Sequence, residues 1–265
     1  MSISNIYEEK TSLEMYLGMH FPAKVNGVPF PGMMNHDLAP SHALNFAQRV
    51  AQKLIGLSPP SFSSALDIGC AVGGSSFELA TKFAHVDAFD YSASFVKAAK
   101  RIQGGEAVAF EIPIEGEIRE KAEVSLEENH FLVREKINFF EGDATQMDVM
   151  SNLAEKKYDA ILMANLLCRL PNPDACLISV SRLTKPGGVV LLITPFSWLE
   201  EFTSREKWMG GREGLRGVDV LQLRMDELGF DKIHDEEIPL TIREHERKYQ
   251  YIVSKATGWK KRPLG

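Results

Sequence analysis

An open, doubly wound α/β sheet of mostly parallel strands, with an N-terminal lid and an inserted hairpin, is the fold class this sequence predicts. Three observations predict it. The apolar run Ala65-Leu66-Asp67-Ile68 ends in Gly69-Cys70-Ala71-Val72-Gly73-Gly74 and passes directly into the helix-like Ser75-Ser76-Phe77-Glu78-Leu79-Ala80. Strand, glycine turn and helix start in that order open a sheet of this kind. Apolar strands then alternate with helical segments, the rhythm of parallel β-α units. Finally, Tyr158-Asp159-Ala160-Ile161-Leu162-Met163-Ala164-Asn165 is nearly continuous apolar sequence, as a strand buried on both faces requires.

Taken in order, residues 1–40 form a polar and aromatic extension carrying Tyr7, Tyr16, His20, Phe30, His36 and Asp37, with prolines and glycines interrupting any helix after about Leu17. It reads either as a surface extension or as a lid over the sheet's carboxyl edge. The domain proper spans 41–265. Ala43, Leu44, Phe46, Ala47, Val50, Ala51 and Leu54 recur at helical spacing, with Ser41 as the N-cap. After the glycine turn and a helix near 75–82, His85-Val86-Asp87-Ala88-Phe89-Asp90 reads as the second strand. Residues 104–136 break the rhythm with a hairpin, 107–114 and 121–126, inserted before the third strand, Lys136-Ile137-Asn138-Phe139-Phe140-Glu141. The 158–165 strand is followed by a helix over 173–183 that stops at Lys185-Pro186-Gly187-Gly188. A strand over 189–194, an aromatic loop (Pro195 to Phe202), a helix over 218–228 and closing strands at 230–233 and 249–255 complete a seven-stranded sheet.

Composition limits the function. The chain has 265 residues, 44% hydrophobic and 25% charged, ordinary for a globular domain of this size. A net charge of −6 argues against nucleic acid as the main partner. No apolar run reaches the ~18–20 residues of a membrane helix, and the first residues lack the basic start of a signal peptide. The three cysteines (Cys70, Cys168, Cys176) have no C-x-x-C spacing, so neither zinc nor a disulfide frame is indicated. These features lead to the expectation of a cytoplasmic enzyme acting on a small molecule, with no metal, membrane or nucleic-acid partner.

The glycine turn excludes two ligands. No lysine follows the glycines, as a phosphate-cradling loop requires, and Ala71 stands where the dinucleotide fingerprint has its second glycine. Asp90 ends the second strand 23 residues beyond Asp67. A carboxylate there suits a ribose, and equally caps the next helix. Asp143 in Gly142-Asp143-Ala144 suits an adenine amino group, with a turn-capping aspartate as the competing reading. Asn165 closes the fourth strand at the edge where such sheets bind ligands.

The pattern Asp67-x-Gly69-x-x-x-Gly73, with Asp90, Gly142-Asp143, Asn165 and Pro186-Gly187-Gly188 in order, resembles the class I S-adenosylmethionine-dependent methyltransferases, whose fold is Rossmann-like. Gly69-Cys70-Ala71-Val72-Gly73, Ala164-Asn165-Leu166-Leu167-Cys168-Arg169-Leu170-Pro171, Trp198-Leu199-Glu200-Glu201-Phe202-Thr203 and Ile242-Arg243-Glu244-His245 together resemble the 5-thiohistidine N-methyltransferases of ovothiol biosynthesis. Those often form the C-terminal domain of the sulfoxide synthase; here the domain would stand alone and work with a separate synthase. The resemblance implies S-adenosyl-L-methionine as cofactor, S-adenosyl-L-homocysteine as product, and methylation of an imidazole nitrogen. It implies cofactor contacts from Asp67, Gly69, Cys70, Ala71, Gly73, Asp90, Tyr91, Asp143, Ala144 and Asn165. Acceptor contacts would come from Arg169, Trp198, Glu200, Arg243 and His245, and catalytic roles from His245, Asn165 and Tyr7. His245 is the candidate base, and Arg243, two residues earlier in an extended segment, would share its face and clamp a carboxylate. Trp198 and Phe202 serve equally as core, and Glu244-His245-Glu246 as a solvated face. A methyltransferase for another small amine, thiol or selenium analogue and a non-catalytic cofactor-binding module are the alternative functions.

Overall fold

The computed structural model describes residues 6–25, 28–29 and 41–263; Phe30, His36 and Asp37 of the extension lie outside them. The central sheet has seven strands. Its parallel part is β3 (Ser64–Ile68), β4 (His85–Asp90), β7 (Ile137–Glu141), β8 (Tyr158–Ala164) and β9 (Thr184–Thr194). The antiparallel pair β10 (Phe230–His245) and β11 (Lys248–Lys261) closes one side, giving the order β10-β11-β9-β8-β3-β4-β7. The order reverses direction at β3, which puts a crevice at its carboxyl end, where the glycine turn begins.

Alternation along the strands sorts two apolar layers. Ala160 and Leu162 face helices α2 (Phe46–Leu57), α3 (Gly74–Ala80) and α4 (Ala93–Gln103). Ile161 and Met163 face α6 (Pro173–Leu183) and α7 (Gly217–Glu227). Asn45, in a left-handed conformation, precedes α2, while Ser41 opens a separate 3-10 turn. The expected cap at Ser41 is therefore displaced by four residues.

Above the carboxyl edge sits a roof. Helix α1 (Lys10–His20) runs on past Leu17 and leads into β1 (Ala23–Val25) and β2 (Val28–Pro29). These join the inserted hairpin β5 (Val108–Glu115) and β6 (Ile118–Val124) in a second sheet of order β2-β1-β6-β5. The insertion therefore completes a sheet begun by the N-terminal segment. Strands β10 and β11 are far longer than 230–233 and 249–255: they rise beyond β9, whose Thr194 pairs with Lys255, and the Glu246 N–H reaches the Ile114 carbonyl at 3.3 Å. Four charged or titratable residues, His234-Asp235-Glu236-Glu237, and Pro239 mask this strand in the sequence. Pro239 is tolerated because β10 is an edge strand.

Candidate active site

The glycine turn is prebuilt by its own hydrogen bonds. The Phe89 carbonyl accepts the N–H of Gly69 at 2.9 Å and of Cys70 at 3.0 Å, and the Cys70 carbonyl accepts the N–H of Gly73 at 2.9 Å. Gly69 and Gly73 hold φ of +74° and +91°, which only glycine adopts without strain. A Cβ on Gly69 would stand 3.0 Å from Leu166 Cδ2, and one on Gly73 2.7 Å from Phe139 Cζ. The bare faces of both glycines thus point at packed side chains. Close packing of the turn demands glycine at both positions.

Ala71 also has positive φ, +48°, an unusual choice for a residue with a Cβ. Its N–H donates to Asp90 Oδ2 at 2.9 Å, and Asp90 Oδ1 accepts the Ser92 N–H at 2.9 Å. Burial raises the Asp90 carboxyl above its ordinary range, and the backbone donors partly offset that. The helix-capping reading of Asp90 fails in detail, since the α4 cap is Ser92, whose Oγ accepts from Phe95 N–H.

Asp67 lies deeper. It is buried, Ser76 Oγ donates to its Oδ2 at 2.7 Å, and burial pushes its carboxyl up to about 7. It pins α3 to the end of β3. Cys70 is likewise buried, its thiol held well above the ordinary range by burial and then by Asp90 and Asp67. Asp143 accepts from the Thr145 N–H and hydroxyl on Oδ1 and from Gln146 Nε2 on Oδ2. It caps its own turn, beside the buried Ala144. Tyr91 is 70% exposed.

At the exits of β8 and β9 the chain assembles a second group. Asn165, with φ +55°, donates its N–H to the Ile193 carbonyl and accepts on Oδ1 from Ser254 Oγ at 2.8 Å. Arg169 Nη1 donates to the Ser197 carbonyl at 2.6 Å, and its guanidinium lies 5.3 Å from the Phe202 ring. Tyr7 joins this group: its ring is 6.3 Å from Phe202 and 6.1 Å from Phe95. Burial raises the Tyr7 phenol, and hydrogen-bonded Arg169 offsets part of that rise. Trp198 is buried and stacks on Trp208 at 6.5 Å, and its Nε1 has no partner among the described residues. Trp208, by contrast, donates to the Thr203 carbonyl at 2.8 Å.

Glu200 is exposed on the turn after β9. Arg243 and His245 do not share a face, because a bulge falls between them: Arg243 is buried and His245 half-buried. His245 Nδ1 accepts the Arg247 N–H at 3.2 Å in the hairpin turn. In that contact the ring nitrogen is engaged with the backbone of the hairpin turn.

The roof touches this site. Tyr7's carbonyl accepts from Ser92 and Ser94 Oγ, and Glu8 Oε2 accepts the Ser94 N–H at 3.3 Å. Tyr16 packs at 4.9 Å on Phe95, and four residues later His20 reaches the start of α3. That i, i+4 spacing is the only sequence signal for Tyr16 and His20 as neighbours of the turn.

Residues 41–235 match the family model described as a methyltransferase domain. The chain belongs to the methyltransferase-domain family. With its mostly parallel seven-stranded sheet it is a class I, S-adenosylmethionine-dependent methyltransferase. Solved structures share the fold. A SAM-dependent methyltransferase from Methanosarcina mazei is 17% identical with a TM-score of 0.52, covering 79% of this chain and 97% of its own. YcgJ from Bacillus subtilis is 11% identical with a TM-score of 0.51, covering 81% and 98%. A protein from work on converting a disulfide bond into a thioacetal during echinomycin biosynthesis is 15% identical with a TM-score of 0.51, covering 84% and 82%. No curated protein matches the sequence.

The donor set around the turn fits the family's cofactor. The Asp90 carboxylate lies against it, and residues 65–80 contain no lysine or arginine. Such a set suits a cationic nucleoside with free ribose hydroxyls and disfavours a phosphate. Among the described residues no cluster of His, Cys, Asp or Glu is placed to hold a metal, and no helix is long and apolar enough to cross a membrane.

Proposed function

We propose that this methyltransferase moves a methyl group from S-adenosyl-L-methionine to a ring nitrogen of 5-thiohistidine or a closely similar amino acid. The observation that carries the reading is the group at the β8 and β9 exits: the Arg169 guanidinium over Phe202, with Tyr7 beside it. A cation and flat aromatic faces suit a planar, anionic acceptor.

In this reading Gly69, Cys70, Ala71, Gly73 and Asp90 hold the nucleoside, with Asp90 accepting from ribose hydroxyls, and Tyr91, Asp143 and Ala144 flank the base. Asp67 acts on the turn through Ser76. Bound S-adenosyl-L-methionine supplies an electrophilic methyl on a sulfonium, so the chain's own work is orientation and exclusion of water. Arg169 and Trp198 hold the acceptor's anionic end, Tyr7 and Phe202 its ring. The Asn165 backbone fixes that edge. Arg243 and His245 belong to the far wall formed by the β10–β11 arm. With His245 committed to its turn, the ring proton passes to solvent.

The test is a labelled-methyl assay against thiohistidine, its selenium analogue, histidine and an ergothioneine-like thione, with the methylated atom located by mass spectrometry. Ring N-methylation of thiohistidine is expected. Transfer to a different amine or thiol alone would refute this substrate while leaving the enzyme class intact. A working partnership with a sulfoxide synthase follows from the same reading, since that reaction class supplies the acceptor's carbon–sulfur bond.

A further inference from the structure

The N–H of Gly74, first residue of α3, would ordinarily be one of the free donors at a helix start. Here His20 takes it: Gly74 N–H donates to His20 Nδ1 at 3.2 Å. Gly74 has an ordinary φ, so its lack of a side chain needs another explanation. An added Cβ would stand 2.8 Å from the His20 carbonyl oxygen and 2.9 Å from both His20 Cβ and Nδ1. Gly74 is therefore bare to admit His20. The histidine is buried, its carbonyl accepts from Gln48 Nε2 of α2 at 2.8 Å, and its ring lies 5.8 Å from Tyr16. Three helices, α1, α2 and α3, meet on this residue.

We propose that His20 is a positioning residue for the cofactor turn, accepting the Gly74 N–H so that α1 is latched to the turn and the turn is held in its binding shape. The inference rests on the reading that Gly69–Gly73 carries the cofactor. The bonds of the turn form a series: Gly69 and Cys70 on Phe89, Ala71 on Asp90, Gly73 on Cys70 and Gly74 on His20. His20 supplies the last of these, from an element outside the sheet. Burial lowers the imidazole to about 4, so the ring stays neutral and Nδ1 keeps its lone pair at physiological pH. The same helix carries Tyr16 against Phe95, and Tyr7 and Glu8 just ahead of it hold the start of α4. The latch thus joins the two cofactor-bearing loops, after β3 and after β4, through one strap.

The experiment compares S-adenosyl-L-homocysteine binding by calorimetry in wild type, His20→Asn and His20→Leu, with KM and kcat for the methyl donor. Asparagine can place an acceptor oxygen near the Nδ1 position; leucine fills the space without one. His20→Leu is expected to weaken binding about tenfold, because a turn without its outer bond must be reordered when ligand binds, and to raise KM for the donor more than it lowers kcat. His20→Asn should recover most of the loss. Gly74→Ala should resemble His20→Leu. Equal binding by wild type and His20→Leu overturns the proposal, as does an equal loss in both variants, which would mean that ring packing and not the bond matters. Should His20→Leu fail to fold, ¹⁵N spectra of wild type decide: Nδ1 must be the unprotonated nitrogen, and the Gly74 amide must be protected from exchange. A protonated Nδ1 overturns the proposal. If wild type itself binds no S-adenosyl-L-homocysteine, the reading of the turn fails instead.

Discussion

Asp90→Ala removes the one side chain that both braces the glycine turn and, in the proposed reading, meets the ribose. The present carboxylate accepts the Ala71 and Ser92 N–H groups, each at 2.9 Å. Hydrogen bonds to a charged group are worth about 1.5–3 kcal/mol each. Ala71 sits at φ +48°, a conformation that costs a residue with a Cβ about 1 kcal/mol. Without its anchor on Asp90 it relaxes toward negative φ, and the turn must be reordered when ligand binds. One lost ribose bond plus that reordering is about 2.5–4 kcal/mol, and at 1.4 kcal/mol per decade this is on the order of 100-fold in affinity. Calorimetric titration with S-adenosyl-L-homocysteine measures it, and Ala71→Gly, which relieves the strain without touching the carboxylate, serves as control. An Asp90→Ala affinity within threefold of wild type, alongside an unchanged control, would refute both the ribose contact and the bracing.

Other expected outcomes follow from the same contacts. Asp67 has a folded-state carboxyl at about 7 because it is buried, so the folded protein binds a proton that the unfolded chain releases near 4. Stability should therefore fall as pH rises from about 4 to about 7, by a few kcal/mol at most, and Asp67→Asn should flatten that slope in denaturant titrations. Arg169→Lys keeps the charge but loses the planar group over Phe202 and its bond to Ser197; KM for the acceptor should rise roughly tenfold with kcat little changed. His245→Ala should leave kcat within about twofold across pH 6–9, because Nδ1 is bonded in the hairpin turn. Loss of one limb of the pH–rate profile would restore the residue as a base.

Local sequence determined the sheet and the turn. Continuous apolar runs at Ala65–Ile68 and Tyr158–Ala164 can be buried on both faces only in a parallel sheet. Gly69 and Gly73 announce left-handed backbone that other residues resist. Asp90, Asn165 and Arg169 are legible because strand ends in such a sheet converge on one edge. Other features depend on partners distant in the chain, and no local pattern encodes them. Whether Asp67 faces ligand or core is settled by the depth at which α3 packs on β3, which brings in Ser76. The bulge between Arg243 and His245 breaks the two-residue alternation that placed them together. The length of the β10–β11 arm and the sheet shared by residues 23–29 and 108–124 arise from pairing across the chain. His20 is the clearest case: its spacing from Tyr16 places the two on one helix face but does not name their partner, the turn 54 residues away. Only packing of α1 on α3 brings its nitrogen to the Gly74 amide, since a buried N–H must find an acceptor wherever the fold supplies one.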